Sequence, residues 1–219
     1  MKQTDDLKSL VNFLKTQNIF LTDKQTAQLQ TYHSELIHFA DKHRIVSKKD
    51  IHHIVKRHFL SSFYFAKQIA AVTSRKDLIL DLGSGAGFPG IILSVVLGNS
   101  LVMVDSIRKK TVFLNRISKL LDLDCEIIND RIENFSSKDT RTFQIITARA
   151  LASLSDLIDL ARPFLLHGKM HTIKGLDFKK ENHGREQEIS LTSHTIDKKW
   201  SDYSDYLKSK AYITFTLRQ

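Results

Sequence analysis

Leu78-Ile79-Leu80-Asp81-Leu82-Gly83-Ser84-Gly85-Ala86-Gly87-Phe88-Pro89-Gly90 is the stretch that decides the fold. An apolar run closes on an acid and enters a turn that holds four of the chain's eight glycines. Glycine lets backbone adopt φ > 0 and lets a ligand come close to it. The apolar run Gly90–Leu97 then predicts a helix, with Pro89 near its first turn, where the missing N–H costs nothing. The free N–H groups of such a helix start point at whatever occupies the turn. In an open α/β sheet that place is the crevice beyond the strand ends.

Moving outward, further short β-type runs occur at Leu101–Val104, Glu126–Asn129, Phe143–Thr147 and Lys169–Ile173, in series with Leu78–Leu82. Helix candidates at Gly90–Leu97, Lys109–Leu121 and Ser155–Phe164 alternate with them. This alternation predicts a parallel sheet with helices on both faces. The tail from Leu191 reads as strand, loop, strand, and 212–217 alternates with period two. The mixed-charge stretch Lys179–Glu188 reads as a surface helix or loop. The first seventy residues lack glycine and proline. Leu7, Leu10, Val11 and Leu14 mark one helix face, and Thr22 with Gln25 forms a capping-box pattern before the next helix. Ile51, Ile54 and Val55 begin another helix, and Phe59 to Ala71 continue as a third. Two regions follow: an N-terminal helical extension over 1–72 and an α/β domain over 73–219.

The chain has 219 residues, 42% hydrophobic and 26% charged, which excludes disorder as the main state. A single cysteine, Cys125, excludes an intramolecular disulfide. His52 and His53 are adjacent and point apart on a helix, so no metal site is expected. Met1–Asp6 carries two acids and no apolar core of a signal segment, and the longest apolar run, Ile91–Leu97, is far below the ~20 residues of a membrane span. The expected setting is cytoplasmic, away from membranes. The net charge of +9 suggests a polyanionic partner. Residues 1–70 carry 11 Lys and Arg against 6 Asp and Glu, with six of the ten histidines.

Two cofactor classes match the turn. Gly85-Ala86-Gly87-Phe88-Pro89-Gly90 satisfies the dinucleotide pattern G-x-G-x-x-G, but in a register that starts too far beyond the strand. The register directly after the strand, Asp81-x-Gly83-x-Gly85-x-Gly87, resembles motif I of S-adenosylmethionine-dependent methyltransferases with a Rossmann-like fold. There the acid orients the loop and the amino-acid end of the cofactor. Asp105, at the end of a second strand and 22 residues after Gly83, suits both ribose hydroxyls. That feature is common to NAD and S-adenosylmethionine. At the third strand end, Ile132 suits the flank of an adenine and Glu133 is placed to cap the following helix.

The fourth strand leads into Arg149. Many amine methyltransferases have an Asn/Asp-Pro-Pro-Tyr motif here; this chain has Ala148-Arg149-Ala150-Leu151. An arginine gives bidentate hydrogen bonding and accepts no proton, which argues against amine methylation and against a general base at this position. A ring nitrogen such as guanine N7 carries a lone pair and no proton to lose. Arg57, His58, Lys109, Lys110 and Lys174 form the basic set expected to meet RNA phosphates.

These features together resemble the ribosomal RNA small-subunit methyltransferase G family, also called glucose-inhibited division protein B, over nearly the whole chain. The resemblance is carried by 55–60, Asp81–Gly90, Val104-Asp105-Ser106, Asp130–Glu133, Thr147–Leu154 and Ile173-Lys174-Gly175. It implies a class I, Rossmann-like methyltransferase fold, with a mostly parallel seven-stranded sheet and an antiparallel C-terminal strand. It implies S-adenosylmethionine as cofactor, contacted by Gly83, Phe88, Ile132, Glu133 and Arg149. The implied activity is methylation of N7 of a guanine in the 530 loop of bacterial 16S rRNA, on naked rRNA, the 30S subunit or an assembly intermediate, by a monomer. The sequence departs from the family at Arg44-Ile45-Val46, where Asn-Leu-Thr is usual, and at Ser61, where an acid is usual. A basic rRNA-binding or assembly module that retains the cofactor fold, and an NAD-dependent oxidoreductase, are the alternative readings.

Overall fold

A computed structural model of the chain describes residues 2–181 and 185–218. Helices open the chain: α1 (Lys2–Thr16), α2 (Asp23–His43) and α3 (Lys48–Ile51), then a π-helical turn (Val55–Phe59) that runs into α4 (Leu60–Ala70). The predicted capping box starts α2: the Thr22 amide donates to Gln25 Oε1 at 2.9 Å, and the Gln25 amide donates to Thr22 Oγ1 at 3.2 Å. After the π turn, the hydroxyls of Ser61 and Ser62 donate to the carbonyls of Arg57 and His58 at 2.6 and 2.7 Å. Such back-bonding competes with the regular ladder and accompanies the wide turn.

Strands and helices then alternate as β1 (Ile79–Leu82), α5 (Gly90–Leu97), β2 (Leu101–Val104), α6 (Arg108–Leu120), β3 (Cys125–Ile128), α7 (Ile132–Ser136), β4 (Ile145–Arg149), α8 (Leu154–Ala161) and β5 (Lys169–Gly175). The tail supplies β6 (Ile189–Thr195), α9 (Lys198–Tyr203), α10 (Asp205–Lys208) and β7 (Lys210–Leu217). The seven strands lie in the order β3-β2-β1-β4-β5-β7-β6, with β7 antiparallel to both neighbours. This is the expected class, and the chain order reverses between β1 and β4, where such sheets place their ligand.

Two local expectations are corrected. β4 begins at Ile145, not Phe143, and extends through Arg149, so that arginine belongs to the strand. The last connection is not a loop but α9 and α10, which bury Trp200 and Leu207. In the mixed-charge stretch, 3₁₀ turns occupy Phe178–Glu181 and Arg185–Gln187; residues 182–184 lie outside the described residues.

Strand alternation sorts the side chains onto two cores. Ile79, Leu101 and Met103 face α5, α6 and the N-terminal helices, alongside Leu10, Leu14, Tyr32, Phe63 and Phe113. Leu80, Leu82, Val102 and Val104 face the other way, against Leu154, Leu157 and Ile158 of α8. The helices of 1–72 therefore share a core with the sheet. Trp200 ties the tail into the same layer, meeting Phe13 and Tyr64 edge-on at 5.3 and 5.2 Å. Among the described residues no helix is long and apolar enough to cross a membrane.

Asp81 is a fully buried carboxylate in this layer. It pairs in register with Thr147 of β4, whose hydroxyl donates to Oδ1 at 2.8 Å, while the Gly90 amide at the start of α5 donates to Oδ2 at 3.2 Å. Burial pushes its carboxyl from the ordinary 3.8 up to about 6, against the pull of these hydrogen bonds. Because the folded value lies above the unfolded one, the native state keeps this proton longer, and the contribution falls as pH rises from about 4 to 6.

Two outcomes are expected. In urea melts at pH 4 and pH 6.5, Asp81→Asn removes that decline, so the variant gains on the wild type by on the order of 2 kcal/mol across the window; parallel pH profiles would contradict the assignment. Trp200→Ala destabilises by about 3–5 kcal/mol and speeds amide exchange in α1 and α4 together with β7; exchange changes confined to the tail would show that the layers do not share a core.

Candidate cofactor cleft and its helical border

The turn after β1 is held from two sides. Asp105 follows β2, and its Oδ2 accepts from the Gly85 amide at 2.9 Å while Oδ1 accepts from the Ile107 amide at 2.8 Å. Asp81 holds the far end through Gly90. Gly83, Gly85 and Gly87 all have φ between 61° and 104°, the left-handed region that side chains disfavour. A Cβ on Gly83 would drive into Leu151 Cδ1 at 2.5 Å, and one on Gly87 would meet Ile91 at 2.6 Å and the Tyr32 hydroxyl at 2.9 Å. The Tyr32 hydroxyl donates to the Ala86 carbonyl at 2.8 Å, so α2 supports the loop from below.

Beside the loop lies a cleft of about 330 Å³. Gly83, Asp105, Ile132 and Glu133, all predicted site residues, line it. Val104, Ile107, Ala150, Leu151 and Leu160 give it apolar walls, and Lys110 stands 3.6 Å from Asp105. Glu133 lies in the first turn of α7 but caps nothing; Arg131 holds the cap position without a side-chain bond. Apolar walls, a carboxylate already fixed by two amides, and a backbone cradle too tight for a side chain at Gly83 fit the adenosine portion of S-adenosylmethionine.

The other predicted cofactor residues are not in the cleft wall. Asp81 is beneath the loop, Gly85 and Gly87 shape it, and Phe88 turns toward the helices, 5.4 Å from the Tyr32 ring and 5.3 Å from that of Phe59. Arg149 shares the strand parity of Ile145 and Thr147, which directs it to the helical side. Its Nη2 lies 2.5 Å from His58 Nδ1 and its guanidinium 5.5 Å from the Phe88 ring centroid. Burial, then the neighbouring Arg149 charge, push His58 down to about 3. The imidazole is therefore neutral at pH 7, accepts from Arg149 through Nδ1 and carries its proton on Nε2. Arg149 Nε and His58 Nε2 are both buried without a hydrogen-bond partner, and His58 Nε2 stands 3.8 Å from Asp50 Oδ1.

Of the residues expected on RNA, Lys109 is exposed, Lys110 lines the cleft, and Lys174 turns inward to Glu181 at 2.9 Å and to the Ala152 carbonyl. Arg57 donates to Asp50 at 2.8 Å and lies over the Tyr206 ring. Asp50, Tyr32 and Thr147 are positioning residues that pattern reading missed. Tyr32 and Thr147 act on residues more than fifty positions away and Asp50 on the turn seven residues on, and only Thr147 had a local signal, as the strand residue two before Arg149.

The sequence profile of the family described as rRNA small subunit methyltransferase G matches residues 25–201. A relative bearing that name from Staphylococcus saprophyticus is 36% identical over 162 residues, covering 73% of this chain and 67% of its own. One from Acholeplasma laidlawii is 34% identical, covering 81% and 74%. Among solved structures, the plantazolicin methyltransferase BpumL in complex with a substrate analogue and SAH superposes with a TM-score of 0.57 at 15% identity, over 88% of this chain and 99% of its own. An rRNA methylase from Streptococcus thermophilus gives 0.53 at 10% identity, over 71% and 95%. Loop, cleft and sheet order agree with those sequence matches: the chain belongs to the rRNA small subunit methyltransferase G family.

Proposed function

We propose that the chain is an S-adenosylmethionine-dependent methyltransferase that modifies N7 of a guanine in the 530 loop of 16S rRNA. The observation that carries this reading is the glycine loop fixed between Asp81 and Asp105 beside a cleft of mixed polar and apolar lining, in a chain of this family. The proposed setting is cytoplasmic, with the protein acting as a monomer on naked rRNA, the 30S subunit or an assembly intermediate.

The bound cofactor supplies an electrophilic methyl group on a sulfonium sulfur. The chain's own residues bind and orient. Asp105 retains free lone pairs after accepting from Gly85 and Ile107, and these accept ribose hydroxyls. Ile132 flanks the adenine, with Gly83 and Glu133 on the adjoining walls. Phe88 and Arg149 form the border between cleft and helices, where the acceptor base enters. Guanine N7 attacks with its own lone pair and loses no proton, so no general base is required and orientation is the main contribution. Neutral His58 and the donor-only guanidinium of Arg149 suit that role.

Labelled cofactor incubated with under-methylated small subunits is expected to place its methyl on N7 of one guanine in that loop. Label on an adenine, a cytosine or protein would refute the assignment. Asp105→Ala is expected to weaken S-adenosylhomocysteine binding by about tenfold or more, as the loss of charge-assisted hydrogen bonds implies, while RNA affinity stays at the wild-type value. Calorimetry showing unchanged cofactor affinity would remove Asp105 from the ribose site.

A further inference from the structure

Arg57 and His58 are committed inside the fold, one to Asp50 and the other to Arg149. Other basic side chains flank α3. There, Ile37 and Ala40 of α2 join Val46 and Ile51 in the floor of a hollow of about 350 Å³. His38, Arg44, Lys48 and His52 form its rim, all four exposed. Among the described residues, none of the four rim side chains has a salt bridge or hydrogen bond to another residue. Arg44 ends α2 in the left-handed conformation, φ 50°. Arg44 and Val46 are also two of the four positions at which this sequence departs from the family pattern; the other two, Ile45 and Ser61, are buried.

We propose that this hollow seats one unpaired nucleotide of the RNA substrate, next to the target guanine, with its base on the apolar floor and its phosphates on the Arg44–Lys48 rim. The proposal rests on the RNA-methyltransferase reading above. Among the described residues no carboxylate pairs with this rim, and an anion complements the charges of Arg44 and Lys48. The floor selects among anions: a nucleobase offers a flat face for apolar and imidazole surfaces, and stacking of this kind tolerates any base. An acidic peptide would satisfy the rim and leave the floor bare. The hollow also lies at the right place. Asp50 of α3 touches Arg57 at 2.8 Å and stands 3.8 Å from His58, which contacts Arg149, so a single short helix separates the hollow from the border of the cleft.

The test uses the full chain and a fluorescein-labelled RNA hairpin carrying the 530-loop sequence, followed by anisotropy over a salt series. The double variant Arg44→Asn/Lys48→Gln keeps the left-handed backbone, which asparagine tolerates. It is expected to bind the hairpin about tenfold more weakly, and its slope of log affinity against log salt is expected to fall by about 1.4 for two lost single-strand phosphate contacts. S-adenosylhomocysteine affinity should be unchanged. Lys179→Gln/Lys180→Gln, in the turn that packs Phe178 on the opposite core, should bind like wild type. Ultraviolet cross-linking should place RNA adducts on peptides within 37–52. Wild-type affinity and slope in the Arg44/Lys48 variant would overturn the proposal, as would adducts only elsewhere or equally tight binding of polyglutamate at this rim. A wild-type chain that binds the hairpin at no salt concentration would instead sink the RNA reading itself.

Discussion

Two carboxylates at the ends of neighbouring parallel strands hold this structure's functional end in place. Asp81 accepts from Gly90 and Asp105 accepts from Gly85, so the loop between β1 and α5 is fastened near both ends. Buried or nearly buried acids need donors, and backbone amides of the loop are the donors within reach. The loop supplies them only by passing through left-handed conformations, which is why glycine occupies 83, 85 and 87. The same geometry leaves the cleft beside Gly83 open and keeps an acid at its mouth. Stability and binding are thus coupled at one place: the hydrogen bonds that satisfy the acids also shape the seat of the cofactor.

The second constraint comes from the helices of the first seventy residues. Tyr32 from α2 reaches the Ala86 carbonyl, and Phe59 from the π turn packs on Phe88. His58 receives a hydrogen bond from Arg149. The helical region is therefore part of the site's frame, and its basic residues serve different ends. Arg57 and His58 serve the frame; His38, Arg44, Lys48 and His52 remain open to solvent.

Much of this was legible in the sequence. Strands β1 and β2, helix α5, the Thr22 cap and the positions of Asp105 and the glycine turn at the strand ends follow from local patterns, because each is fixed by neighbours in the chain. The two cores were readable in part, since strands alternating with helices predict a sheet covered on both faces. What pattern reading missed depends on contacts between distant segments. Arg149 looked like a loop residue after β4; one more strand residue gives it the parity of Thr147 and turns it to the helices. Lys174 looked like a rim cation, but its neighbour Ile173 faces the first core, so Lys174 faces the other side and meets Glu181. Arg57 carried a basic motif, and nothing local announced that Asp50 would claim it. The boundary at residue 72 marks a change in element type, which is visible in sequence, and not a break in the core, which is visible only in packing.

The most direct measurement of the central claim is a crystal structure of the chain with S-adenosylhomocysteine. The account predicts ribose hydroxyls on the Asp105 carboxylate, the adenine against Ile132, and the Gly85 and Gly90 amides still bound to Asp105 and Asp81. A nucleoside lodged elsewhere, or a loop that releases either acid when the ligand binds, would contradict it.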